Sequence, residues 1–203
     1  MADLPGFIRI PTTGVIFVLD RAEKQGYLPS DSSWSNLGQG APEAGAIPNA
    51  PPRINQVNIC DGNNAYSPIA GQTCLRQKVA DLYNHLYRRG KKSQYTYENV
   101  SIAGGGRVAL TRAVAALGNI NMGHIVPDYT AYAELLAMQK TITPIPILLY
   151  PEDHYQISVE ELKSQIIGLG LKSLLLSNPC NPTGQLIAGE SLSQIVKLSR
   201  DYQ

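Results

Sequence analysis

Apolar residues follow two patterns along this chain. Between Thr73 and Arg89, Leu75, Val79, Leu82, Tyr83 and Leu86 recur at steps of three and four, which gives a helix one apolar face. Arg88 and Arg89 suit the negative end of that helix, and Gly90 can close it. Beyond it, short apolar runs alternate with helical stretches. Strands are predicted at 99–103 (NVSIA), 124–127 (HIVP), 144–150 (PIPILLY) and 173–177 (SLLLS). Helices are predicted at about 107–117, at 129–139, from the capping box Ser158-Val-Glu-Glu161, and at 191–200. Short, wholly apolar strands alternating with helices indicate an α/β sheet covered on both faces.

The first part of the chain reads differently. Residues 1–36 suggest an arm with a short helix over 13–25, stopped by Gly26. Residues 36–52, NLGQGAPEAGAIPNAPP, are rich in Gly, Pro and Ala. Their prolines remove backbone donors and their glycines allow positive φ, so the stretch is expected to be irregular.

Composition narrows the function classes. The 203 residues are 43% hydrophobic and 16% charged, which supports a packed core rather than disorder. A formal net charge of +1 gives no electrostatic case for nucleic acid or an anionic membrane, so small molecules or protein surfaces are the expected partners. Cys60, Cys74 and Cys180 show no metal-ligand spacing, and their odd number argues against a disulfide framework. Reduced thiols in a cytoplasmic protein are expected. Asp3, Pro5 and Arg9 break up any secretory signal pattern, and Val15 to Leu19 is too short to cross a bilayer.

Three stretches carry candidate chemistry. In SIAGGGRVALTRAVAALG a predicted strand runs into three glycines and then a helix. A helix N-terminus offers unpaired amides and partial positive charge, and glycines let an anion come close. Arg107 could add a charge-assisted bond. The same glycines satisfy a loose dinucleotide pattern, for which Asp128 would be the ribose-binding acid. A tight turn with no ligand is the third reading. In VPDYTAY, Tyr129 and Tyr132 share a helix face beyond a strand, as one wall of a planar site or as ordinary packing. In LLLSNPCNPTG, two Asn-Pro pairs and Gly184 follow a strand. X-Pro bonds are the usual place for a cis peptide. The result is a rigid loop that aims an amide side chain out of the end of a sheet, where open α/β sheets bind ligands.

Together these stretches resemble the class I/II pyridoxal-phosphate aminotransferases of fold type I. NPCNPTG resembles the family's NPxNPTG signature. NLGQGAPE (36–43) resembles its substrate-carboxylate loop, and YSPIAGQTCLRQKVADLY (66–83) its Y…G…LR…Y segment. GGRVAL (105–110) resembles its phosphate loop, and PDYTAY (127–132) its PxYxxY segment. The family more often carries a small or amide residue where Arg107 stands.

The resemblance implies the three-layer, aspartate-aminotransferase-like large domain, incomplete, with an N-terminal arm. Residues 1–52 would be the arm and substrate-side loop, and 53–203 the first part of the cofactor-binding domain. The cofactor would be pyridoxal 5'-phosphate. Gly105, Gly106 and Arg107 would hold its phosphate, Tyr129 would stack on its ring, and Asn181 would bond its 3-hydroxyl oxygen. Tyr66 would reach the phosphate of a neighbouring subunit, and Gly40 would lie near the substrate carboxylate. Amino acids and 2-oxo acids would be the substrates, in a homodimer or with a second chain.

The resemblance also implies three groups beyond the NPxNPTG loop: a Schiff-base lysine, an acid for the pyridinium nitrogen and an arginine for the substrate carboxylate. Neither Lys172 nor Lys197 stands in the family's Ser-x-x-Lys setting. The chain is therefore expected to be inactive alone and to need a second chain, self-association or a longer polypeptide. A non-catalytic assembly half, another fold-type-I enzyme such as a lyase, and a nicotinamide-dependent oxidoreductase are the rival readings.

Overall fold

A computed structural model describes residues 5–6, 14–38, 40 and 45–202. The chain divides into two units, 1–60 and 61–203. In the first, α1 (Gly14–Lys24) ends on Arg21 and Lys24, cations that suit the negative helix end. Tyr27 and Trp34 pack edge to face with ring centres 5.7 Å apart. Of the expected substrate-side loop, Gln39 and residues 41–44 lie outside the described residues.

The second unit contains α2 (Thr73–Tyr87), α3 (Gly106–Ala115), β1 (Ile120–Val126), α4 (Ala131–Ala137), β2 (Ile142–Leu148), α5 (Val159–Leu169), β3 (Leu171–Leu175) and α6 (Gly189–Asp201). The three strands form a parallel sheet in the order β2-β1-β3. β1 and β2 pair without interruption from Ile120↔Ile142 to Val126↔Leu148. The β1–β3 ladder slips between Asn121 and Met122. At the start of α5 the Ser158 hydroxyl accepts from the Glu161 amide at 3.2 Å, the bond expected of that cap.

One predicted strand is absent. Asn99 closes a 3-10 turn, Tyr97–Asn99, capped by Thr96, and residues 100–103 follow it without regular structure. Among the described residues, their one long-range backbone bond runs from the Ile102 amide to the Ala70 carbonyl, at 2.9 Å. An apolar run becomes a strand only when another strand lies alongside it, and no described strand does. The last strand also begins earlier than predicted, so Lys172 lies within β3.

Alternation along the strands splits the core in two. Ile125, Ile147 and Leu171 pack with Leu162 of α5 and Leu198 of α6. Met122 and Ile142 pack with Val114 of α3 and with Leu135 and Leu136 of α4. The sheet is thus covered on both faces, as the apolar strands predict. Gly123 fixes the middle of the sheet. A Cβ there would come within 2.9 Å of Ile147 Cδ1 and 3.0 Å of Leu171 Cδ1. Among the described residues no helix is long and apolar enough to cross a membrane.

Candidate functional site

The site lies where β1 and β3 end. β1 finishes at Val126 and leads through Pro127 into Asp128 and Tyr129; β3 leads into Ser177 and the Asn-Pro loop. Because the two strands are neighbours, residues about fifty positions apart meet here. The peptide bonds before Pro127, Pro179 and Pro182 are cis.

α3 presents its N-terminal end beside Tyr129. Its N-cap, Gly105, has φ +122°, which only glycine adopts without strain. The first helical bond runs from the Ala109 amide to the Gly105 carbonyl, at 3.0 Å. The amides of Gly106, Arg107 and Val108 precede that bond and so have no partner in the helix. Arg107 lies on the surface and donates from Nε and Nη2 to the Tyr129 hydroxyl, at 3.3 and 3.1 Å. Its guanidinium carbon lies 5.6 Å from the Tyr129 ring centre. The bond to that hydroxyl, and then the phenol's charge, hold Arg107 still more firmly protonated than usual. A cleft of about 460 Å³ opens beside these two residues, with Leu110, Tyr132, Leu135 and Met138 among its walls.

A carboxylate links this end to the Asn-Pro loop. Asp128 Oδ1 accepts from the Tyr129 amide at 2.6 Å and from the Ser177 hydroxyl. Asp128 Oδ2 accepts from the Ser177 amide at 3.0 Å. The Ser177 hydroxyl in turn accepts from the Asn181 amide at 3.1 Å. Two neighbours feel the same carboxylate. Burial pushes the Tyr132 phenol up, and Asp128 pushes it further. Burial holds His124 below its ordinary value, with Asp128 opposing.

The two asparagines of the loop play different parts. Asn178 clamps the backbone of Ile187 from both sides, donating to its carbonyl and accepting from its amide, each at 2.9 Å. Cys180 accepts from Gly184 at 2.7 Å and donates to the Gln185 carbonyl at 2.8 Å, both through backbone atoms. Asn181 is exposed, and among the described residues none bonds its side-chain amide.

Of the residues singled out by sequence, Arg107 and Tyr129 touch, and Asn181 joins them through Ser177 and Asp128. Gly105 and Gly106 form the helix start beside Arg107. Tyr66 is fully exposed, at 103% of its reference surface. Gly40 is exposed and belongs to the first unit. Asp128 does not serve a dinucleotide ribose here, because three donors already occupy its oxygens. Sequence reasoning missed Ser177 and the linking part of Asp128. Each stands directly before a recognised residue, Asn178 or Tyr129, yet nothing linear says that they meet. The donor set, with free helix amides, a guanidinium, an aromatic face and an exposed amide, fits a phosphorylated aromatic group.

The family model for aminotransferases of class I and II matches residues 32–203. A probable aspartate/prephenate aminotransferase of Rickettsia conorii is 26% identical over 148 residues, covering 71% of this chain and 35% of its own. An aspartate aminotransferase of a Bacillus species is 25% identical over 168 residues, covering 80% and 40%. In fold, the chain is similar to the Thermus thermophilus aspartate aminotransferase solved with maleate, with a TM-score of 0.60 at 22% identity, over 70% of this chain and 36% of that one. The chain therefore spans between a third and two fifths of the length of these proteins.

Proposed function

Because this chain belongs to the class I and II aminotransferases, we propose that it is the cofactor-holding part of an enzyme that moves an amino group between an amino acid and a 2-oxo acid. The cofactor in this reading is pyridoxal 5'-phosphate. The carrying observation is the hydrogen-bonded series from Arg107 through Tyr129, Asp128 and Ser177 to Asn181. It gathers a guanidinium, an aromatic ring and an exposed amide near the C-terminal ends of adjacent parallel strands, where such sheets bind ligands, and this supports the reading.

When bound, pyridoxal 5'-phosphate supplies an electron sink and a carrier for the amino group. The amides of Gly106 and Arg107, with the Arg107 guanidinium, bind the phosphate dianion at the positive end of α3. Tyr129 would stack on the ring and exclude water from one face. The Asn181 side-chain amide donates to the ring hydroxyl oxygen and holds its charge. Tyr66, exposed on the surface, reaches the phosphate of a neighbouring subunit. By its motif, Gly40 belongs to the substrate-carboxylate loop. Residues 1–52 form the arm and substrate-side loop, and 53–203 the start of the large domain.

We further propose that these 203 residues do not complete the transfer alone. The reaction needs an amine that moves a proton at the substrate carbon. Lys172 stands at the opposite end of β3, five residues before Ser177, or about 16 Å at strand rise. Lys197 lies within α6. A lysine elsewhere, on a longer polypeptide or a second chain, completes the site.

The test is titration with pyridoxal 5'-phosphate and with pyridoxal, followed by absorption, with intact mass taken before and after borohydride. Saturable binding that requires the phosphate, with no adduct at one specific lysine, is expected. Lack of saturable binding overturns the cofactor reading. A stoichiometric adduct at one lysine overturns the claim that this chain lacks the catalytic amine.

A further inference from the structure

We propose that Asp128 is a positioning residue that sets Tyr129 and Asn181 as one unit, acting on Asn181 through Ser177. The inference rests on the cofactor reading above. Tyr129 and Asn181 arrive on loops from different strands, and a stacked ring must be gripped by both in one geometry. The Asp128 carboxylate is the group on which both backbones hang. It accepts from the Tyr129 amide at 2.6 Å, from the Ser177 amide at 3.0 Å and from the Ser177 hydroxyl. Because it donates to Asp128, that hydroxyl is oriented to accept from the Asn181 amide at 3.1 Å.

The chemistry of the side chain matters. An ionised carboxylate is acceptor-only, and three donors converge on it. An asparagine would turn an NH2 group toward one of those donors. Further ties are weaker: a thiol bond runs from Cys180 Sγ to the Pro127 carbonyl at 3.5 Å, and the Tyr132 hydroxyl is hydrogen-bonded with Ser177. Asp128 and Ser177 are half-buried, so water replaces the lost acceptor only in part. Asp128 makes no bond to the α3 amides or to Arg107. Arg107 is linked to it through the Tyr129 hydroxyl, so loss of Asp128 should disturb ring binding more than phosphate binding.

That separation defines the experiment. The full chain and its Asp128→Ala, Asp128→Asn and Ser177→Ala variants are titrated with pyridoxal 5'-phosphate and, separately, with inorganic phosphate. In a Cys60→Ser, Cys74→Ser background, alkylation of the buried Cys180 reports the order of the Asn-Pro loop without any ligand. For Asp128→Ala we expect affinity for pyridoxal 5'-phosphate to fall about ten-fold, the effect of losing one or two charge-assisted bonds. Inorganic phosphate should change less than about two-fold, and Cys180 should react about ten-fold faster. Asp128→Asn and Ser177→Ala should fall between.

Parallel losses of both ligands would mean general damage and overturn the proposal. So would unchanged pyridoxal 5'-phosphate affinity with Cys180 still protected. If Asp128→Ala does not fold, Ser177→Ala decides by the same criteria. If the unsubstituted chain binds inorganic phosphate but not pyridoxal 5'-phosphate, the cofactor reading fails and this inference with it. Loss of the ring affinity in the variants alone is the failure of neither.

Discussion

At the scale of single residues, the Asn-Pro loop shows how one residue type serves two purposes. Asn178 holds the loop closed on Ile187, whereas the Asn181 side chain stays exposed at the site. Asn181→Ala should weaken pyridoxal 5'-phosphate binding about ten-fold, as one hydrogen bond is lost, with little effect on the melting temperature. A ligand titration beside a thermal melt checks both halves. His124 gives a pH prediction. Burial lowers its pKa in the folded chain, with Asp128 in partial opposition. As pH falls through the ordinary histidine value near 6.5, the unfolded chain takes up a proton that the folded chain resists. The His124 contribution is therefore intact above that pH and lost as pH falls below it. Urea midpoints measured from pH 7.5 down to 5 should decline, and His124→Gln should decline less.

At the scale of elements, the strands differ in what their neighbours allow. β1 is central and carries Gly123 between Ile147 and Leu171, whose methyl groups occupy the space of a Cβ. Gly123→Ala should cost roughly 1–3 kcal/mol by overpacking, readable as a lower urea midpoint with an unchanged slope. Among the described residues β2 and β3 are both edges, but they are not alike. Pro144 and Pro146 share one parity in β2 while all seven of its residues pair with β1. Their missing donors thus fall on the outer side and blunt that edge. β3, LKSLL, has no proline, so its outer edge keeps its donors. The hydroxyl of Ser173 on this strand is buried without a hydrogen-bond partner.

At the scale of the molecule, that open edge is a template for pairing among the described residues. The purified chain should associate reversibly as concentration rises. Sedimentation velocity over a hundred-fold range of concentration would show it, and a single 22.0 kDa species throughout would contradict it. The proline-blunted β2 edge directs that association to β3.

Local signals reached far into this fold. Helical periodicity marks α2, the Ser158 cap marks the start of α5, and apolar runs mark all three strands, because each depends on neighbours within a few residues. Gly105, Arg107, Tyr129 and Asn181 were legible for a similar reason: each lies in a short motif with a local backbone requirement. The run 99–103 misled because its apolar character is local but strand formation is not; it needs a partner strand, and none of the described strands lies beside it. Asp128 could be read as a ribose ligand for as long as its partners were unknown. Only tertiary structure decided that β1 lies next to β3, and with it that the Asp128 carboxylate meets the Ser177 hydroxyl 49 residues away. Strand order follows from how whole elements pack against one another, so the sequence determined the parts of the site and the packing decided which carboxylate joins them.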